Sequence, residues 1–202
     1  MREEKHCTAL PDYHPTVLIY AMSVSVDGYI ADRDGSIGWG QPSDELFAFH
    51  LERVRGLATY LCGRRLYETM LPWETDPAMR GTPLGDDFAD VWAALPKVVF
   101  SRTLTSVQGN ARLATASVAD ELAAAVAAGA DVEIGGARLA AAAIELGLVD
   151  ELRIFRTPIV LGGGTAYLPP VSEPIPLELS ETRTFDSRVI YERYRRIQTE
   201  TY

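Results

Sequence analysis

The stretch Asp131–Gly147, DVEIGGARLAAAAIELG, most constrains what this chain can fold into. Val132, Glu133 and Ile134 form a short β-prone run, and Gly135-Gly136 breaks it. Leu139, Ala143, Ile144 and Leu146 then recur at helical spacing up to Gly147. Strand, glycine turn and helix in that order are one half of a parallel α/β unit. Adjacent glycines let a backbone approach a ligand closely, and a helix start offers unpaired N–H groups and a positive dipole end. The pair suits a phosphate or pyrophosphate; it also describes a tight turn between two core elements, since the full G-x-G-x-x-G pattern is missing.

Other segments repeat the alternation. Thr16–Ser25 is β-branched, aromatic and almost unbroken in its apolarity, as a strand covered on both faces must be. The loop from Val26 to Glu45 carries the turn pairs Asp27-Gly28 and Asp34-Gly35 with apolar anchors at Ile30, Ile37 and Trp39, a pattern expected of a lid or binding loop. Ser43 is the expected N-cap of a helix with Leu46, Phe47, Phe49, His50, Val54 and Leu57 inward, and Ala58–Gly63 is a second strand followed by Arg64-Arg65. Leu71–Leu95 reads as irregular until a helical pattern begins near Phe88. Lys97–Phe100 is a third strand, Arg112–Ala114 an edge strand, and Ser117–Ala128 a helix. Glu151–Leu161 reads as one long strand in which Pro158 demands a bulge or an edge, and that edge could serve as an interface. Leu177–Thr184 and Arg188–Ile197 alternate as a hairpin turning near Asp186-Ser187. The fold class is therefore α/β: a mostly parallel central sheet flanked by helices, with a C-terminal antiparallel hairpin.

Composition narrows the function. A net charge of −9 and a pI of about 4.8 argue against broad binding to nucleic acid or anionic membrane, leaving a small molecule as the expected partner. Two cysteines, Cys7 in a polar tail and Cys62 in an apolar run, make neither a disulfide framework nor a metal site. Residues 1–15 read as a frayed tail without a signal peptide's apolar core, and 16–202 as one domain of a soluble, cytoplasmic protein.

Five segments, SVDGYIA (25–31), LCGRRLYE (61–68), VVFSRTL (98–104), VEIGGARL (132–139) and DELRIFRTPIVLGGG (150–164), resemble the dihydrofolate reductase superfamily. The resemblance is strongest to the reductase domain at the C-terminus of bacterial riboflavin deaminase-reductases and to its stand-alone relatives. It implies an NADPH-dependent reductase acting on a small heterocycle, and commonly a homodimer. The first strand and its loop would frame the nicotinamide with Ala21, Ile30 and Ala31, under a covering loop at Gly35 and Ser36. Gly63, Arg64, Arg65 and Leu66 would meet the pyrophosphate and adenosine phosphate, and Ser101, Arg102 and Thr103 would lie beside the 2′-phosphate. Gly135 and Gly136 would be joined by a cis peptide, with Ala137, Arg138 and Leu139 opening the helix against the pyrophosphate. Trp39, Pro42 and Asp44 keep the spacing of the tryptophan, proline and carboxylate that open the first helix of dihydrofolate reductases, and that resemblance implies Asp44 as the proton-assisting carboxylate; its alternative role is a first-turn aspartate favoured by the helix dipole. Where dihydrofolate reductases carry an arginine for the folate tail, this chain has Leu95-Pro96-Lys97, a point charge at most, so dihydrofolate is not the expected substrate. A riboflavin-pathway reductase acting on a ribosylaminopyrimidinone phosphate is the nearest alternative, and a nucleotide-binding module without turnover is the alternative from another class.

Overall fold

The computed structural model describes residues 16–126 and 129–197. The tail assigned to residues 1–15 and the last two positions of the helix expected to end at Ala128 lie outside them. The elements run β1 (Leu18–Ser25), β2 (Tyr29–Ala31), α1 (Asp44–Arg55), β3 (Leu57–Gly63), α2 (Arg64–Met70), α3 (Pro72–Thr75), α4 (Pro83–Ala94) and β4 (Lys97–Phe100). They continue β5 (Ala111–Leu113), α5 (Val118–Val126), β6 (Asp131–Gly135), α6 (Ala137–Glu145), β7 (Glu151–Thr157), β8 (Thr165–Ala166), β9 (Leu177–Thr184) and β10 (Ile190–Arg196).

Eight strands form one sheet in the order β5-β4-β3-β6-β1-β7-β10-β9. The first six are parallel to their neighbours, while β10 is antiparallel to both β7 and β9. β1 is central, as its apolarity requires, and Leu18, Ile19 and Tyr20 are at most 1% exposed. Alternation along β1 divides the core. Leu18, Tyr20 and Val24 pack with Leu122 of α5 and Ala140, Ala143 and Ile144 of α6; Ile19 and Ala21 pack on the other face with Leu46 of α1 and Phe155 of β7. Also on that second face, Leu51 and Val54 of α1 join Phe88 and Trp92 of α4. Each such buried aliphatic side chain contributes about 1.5–3 kcal/mol relative to exposure.

Three expectations are corrected. β7 stops at Thr157, because Pro158 has no N–H to continue the ladder, and β7 lies between β1 and β10 rather than at an edge. The edges are β5 and β9, so Glu151–Leu161 offers no interface edge. The segment 71–95 is more regular than its prolines suggest: Pro72 and Pro83 sit in the first turns of α3 and α4, where a missing N–H costs nothing, and the Thr82 hydroxyl caps α4 by accepting from the Gly85 amide at 3.0 Å. Finally, no cis peptide occurs among the described residues, and the turn at Gly136 is made with φ +90° instead.

Candidate functional site at the C-terminal sheet edge

Five of the six parallel strands deliver the loops discussed below to one edge of the sheet, which is where open α/β sheets bind ligands. Here those loops begin at Val26 after β1, Arg64 after β3, Ser101 after β4, Gly136 after β6 and Pro158 after β7. Every segment singled out for cofactor contact, from Ala21 to Leu139, therefore lies at or just below this edge.

The turn after β3 is tied to the turn after β4, where Arg64 donates to the Thr103 hydroxyl at 3.1 Å. Ser101 Oγ holds the second turn by accepting from the Thr103 and Leu104 amides at 3.1 and 2.9 Å. Arg64, Arg65 and Arg102 are all exposed, available to an anion rather than committed to the core. α2 starts immediately after Gly63, whose missing side chain would meet nothing within 4 Å. Open space beside an extended-backbone glycine is what close ligand approach needs.

The glycine pair divides its work. A Cβ on Gly135 would lie 2.2 Å from Leu66 Cδ2 and 2.4 Å from Tyr60 Oη, so that glycine is demanded by the protein's own packing. Gly136 is the N-cap of α6, and a Cβ there would come no closer than 3.9 Å to Leu66. The carbonyl of Gly136 accepts from Leu139 and Ala140, leaving the Ala137 and Arg138 amides at the open helix end. Ala137 and Leu139 turn partly inward while Arg138 is exposed.

The loop after β1 is anchored across the molecule. Asp27 accepts from Ser25 Oγ at 2.7 Å and from the Leu161 and Gly162 amides at 3.1 and 2.7 Å, and these bonds pull its carboxyl down to about 2. β2 pairs with β8 beyond the Gly162–Gly164 run. Gly164 is obligatory there, since a Cβ would stand 2.0 Å from the Ala31 carbonyl oxygen. Below, Tyr20 and Tyr167 stack at 4.4 Å and each donates its hydroxyl to the other's carbonyl. Ile30 and Ala31 are buried by this arrangement, whereas Gly35 and Ser36 stay exposed.

Between these loops opens a cavity of about 570 Å³ lined by Asp32, Arg33, Asp34, Gly35, Arg65, Gly164 and Thr165. It unites Gly35 and Arg65 from the expected set; Ser101, Arg102, Thr103 and Asp44 are not among its lining residues. Asp32, Arg33, Asp34, Gly164 and Thr165 lie outside the expected set, and the sequence signal for the last two is the triple glycine, which reads as a strand end until its β2 partner is known.

Asp44 is exposed at the first position of α1. Its neighbours hold that helix start in place: Ser43 Oγ accepts from the Leu46 amide at 3.4 Å and donates to Asp186, and Glu45 accepts from Arg183 and the Asp186 amide at 2.7 and 2.8 Å. The hairpin tip thus fixes the helix start. Lys97 is settled differently from its expected role as a point charge for substrate. It is 2% exposed, pairs with Glu74 at 2.8 Å and donates to the Trp92 and Leu95 carbonyls, so its charge is committed inside the core. Another buried charge, Glu133 of β6, pairs with Arg53 of α1; burial pushes its carboxyl up while the guanidinium opposes that shift.

Comparison with known proteins agrees with this architecture. The profile of the RibD C-terminal domain family matches residues 16–191. The chain belongs to that family. It is 30% identical over 182 residues to the uncharacterised protein YyaP of Bacillus subtilis, covering 86% of this chain and 91% of YyaP. A crystal structure of a candidate riboflavin biosynthesis protein from Shewanella sp. PV-4 superposes with a TM-score of 0.70 at 24% identity, over 91% of this chain and all of that one. Dihydrofolate reductase from Enterococcus faecalis, solved with NADP(H), superposes with a TM-score of 0.61 at 19% identity, over 92% of this chain and 99% of that one. The fold is dihydrofolate reductase-like. Among the described residues no helix is long and apolar enough to cross a membrane, and no cluster of three or more His, Cys, Asp or Glu is placed to hold a metal.

Proposed function

We propose that this RibD-type domain is an NADPH-dependent reductase that delivers hydride to a C=N or C=O bond of a small pterin- or pyrimidine-like heterocycle. The observation that carries it is the convergence of open glycine backbone, a helix start and three exposed arginines on one sheet edge. The residues fit the cofactor: Gly63 and Gly136 leave room at the backbone, and the Ala137 and Arg138 amides suit a pyrophosphate. Arg64, Arg65 and Arg102 suit a 2′-phosphate beside Ser101 and Thr103, and favour NADPH over NADH. Ala21, Ile30 and Ala31 supply an apolar frame for a nicotinamide, with Gly35 and Ser36 above it. NADPH bound there supplies the hydride; the chain supplies position and exclusion of water. Asp44, at a helix start that the hairpin tip holds still, assists protonation.

Within this class a ribosylaminopyrimidinone phosphate is favoured over dihydrofolate as substrate, because Lys97 is buried against Glu74 and nothing replaces the folate clamp at that position. The active unit we propose is a cytoplasmic homodimer of the domain spanning 16–202. In support, β9 is exposed along its whole length, and Leu179 and Ile190 of the hairpin stand 52% and 40% exposed.

NADPH at a hundred times its dissociation constant should stabilise the fold by about 2.7 kcal/mol, read as a melting shift, with a smaller shift for NADH. Equal shifts would remove the 2′-phosphate assignment, and NADPH binding without oxidation by any heterocycle would leave a nucleotide-binding module. In the oxidation assay Asp44→Asn should lose about 10²- to 10⁴-fold in turnover while keeping NADPH affinity. Full activity in that variant would return Asp44 to a helix-start role.

A further inference from the structure

We infer that His50 orients the heterocycle, donating a hydrogen bond through Nε2–H to a carbonyl oxygen or ring nitrogen of the substrate. The inference rests on the reductase reading above and names a group of the same site.

His50 lies one and a half turns into α1, with its ring centroid 4.3 Å from that of Phe155 on β7. Phe155 pairs in register with Ser23 of β1, and Ala21, on the same face of the sheet, is two residues below. Ser23 is also where the loop before α1 comes down, since a Cβ on Gly40 would stand 3.8 Å from Ser23 Cβ. His50 therefore sits at the depth where helix, loop and the proposed nicotinamide frame meet.

Its tautomer is decided by its neighbour. Arg53 Nη1 is 3.2 Å from His50 Nδ1, and a guanidinium only donates, so Nδ1 accepts and the proton resides on Nε2. Nε2 has no protein partner among the described residues, although the ring is only half-buried. The charged group beside it is Arg53 of α1, which pairs in turn with Glu133 of β6, and Tyr191 of β10 packs on the same Phe155 ring. Burial and Arg53 together push the imidazole down to about 3, so near neutral pH the ring is uncharged. An uncharged imidazole with one fixed N–H donates without giving up its proton. Such a group recognises an acceptor on a planar ring and leaves protonation to another group.

The test is ¹⁵N NMR of the full chain with NADP⁺ bound, using pterin and 5-aminouracil as probes. His50 should hold its proton on Nε2 from pH 5 to 8, and one of the probes should shift that resonance while Nδ1 stays put. His50→Phe keeps the aromatic contact with Phe155 and removes the donor; it should weaken the responsive probe at least tenfold while leaving NADP⁺ affinity and melting temperature near parental values. His50→Gln, which retains an N–H, should recover most of the loss. Titration near pH 6.5, an unmoved Nε2 with both probes, or parental probe affinity in His50→Phe would overturn the assignment while NADP⁺ still binds. Failure of NADP⁺ to bind the parent would instead sink the reductase reading and this role with it.

Discussion

Two glycine clusters follow neighbouring regions of the same sheet edge, and they serve opposite ends. At the end of β6, Gly135 is closed in by the protein's own side chains, while a Cβ on Gly136 would come no closer than 3.9 Å to Leu66 and that residue starts a helix. After β7, Gly164 is closed in by backbone, Gly163 by Arg33, and the run leads into a two-residue strand that locks the loop after β1. The first cluster leaves room for a ligand; the second removes room so that two loops can be joined. Counting glycines does not separate these roles, but asking what a Cβ would meet does.

Substitutions sharpen the contrast. Gly164→Ala should have the largest effect, because its Cβ would meet an immovable carbonyl at 2.0 Å and φ is +133°. A loss above about 4 kcal/mol, or failure to fold, is expected, at the far end of the range for single changes. Gly135→Ala meets the ends of Leu66 and Tyr60, side chains that can turn away, so about 1–3 kcal/mol is expected from overpacking. Equal losses at the two positions in chemical denaturation would erase the distinction between backbone and side-chain crowding. Gly63→Val, with extended backbone and nothing within 4 Å, should change stability by less than about 0.5 kcal/mol yet weaken NADPH binding more than tenfold. Parental NADPH affinity in that variant would show that the open space beside Gly63 is not cofactor space.

Much of this was legible in the sequence, and the gaps have physical causes. β1, β3, β4, β6 and the β9–β10 hairpin follow from local patterns, because each strand's burial is written in its own residues. The Ser43 cap of α1 and the strand–glycine–helix at 131–145 were equally local. What escaped depends on distant partners. β2 and β8 are short strands that exist only through each other, and Lys97 reads as a surface charge until Glu74 is brought beside it. The start of α4 at Pro83 was missed for a different reason: its Thr-Pro signal was present at 82–83 but lay inside a segment dominated by prolines and glycines. For the candidate site, Gly63–Leu66, Ser101–Thr103 and Gly135–Leu139 were singled out by resemblance, and each sits at a strand end that the parallel sheet brings to one edge, whereas Arg33 and Thr165 come together only in the folded cavity.

The strand order carries a cost in time. β1 is made first, yet its two neighbours are β6 and β7, with Leu18 waiting for Val132 and Ile19 for both Glu133 and Glu151. At about 5–20 residues per second, a ribosome leaves that apolar strand without either partner for roughly six to twenty seconds. Both of its hydrogen-bonding edges are open during that interval, and contacts so far apart in sequence also slow the closing step itself. A nascent chain of this kind is most vulnerable to association with other chains before Asp131 emerges, and it has the most to gain from a chaperone that shields Leu18–Ser25.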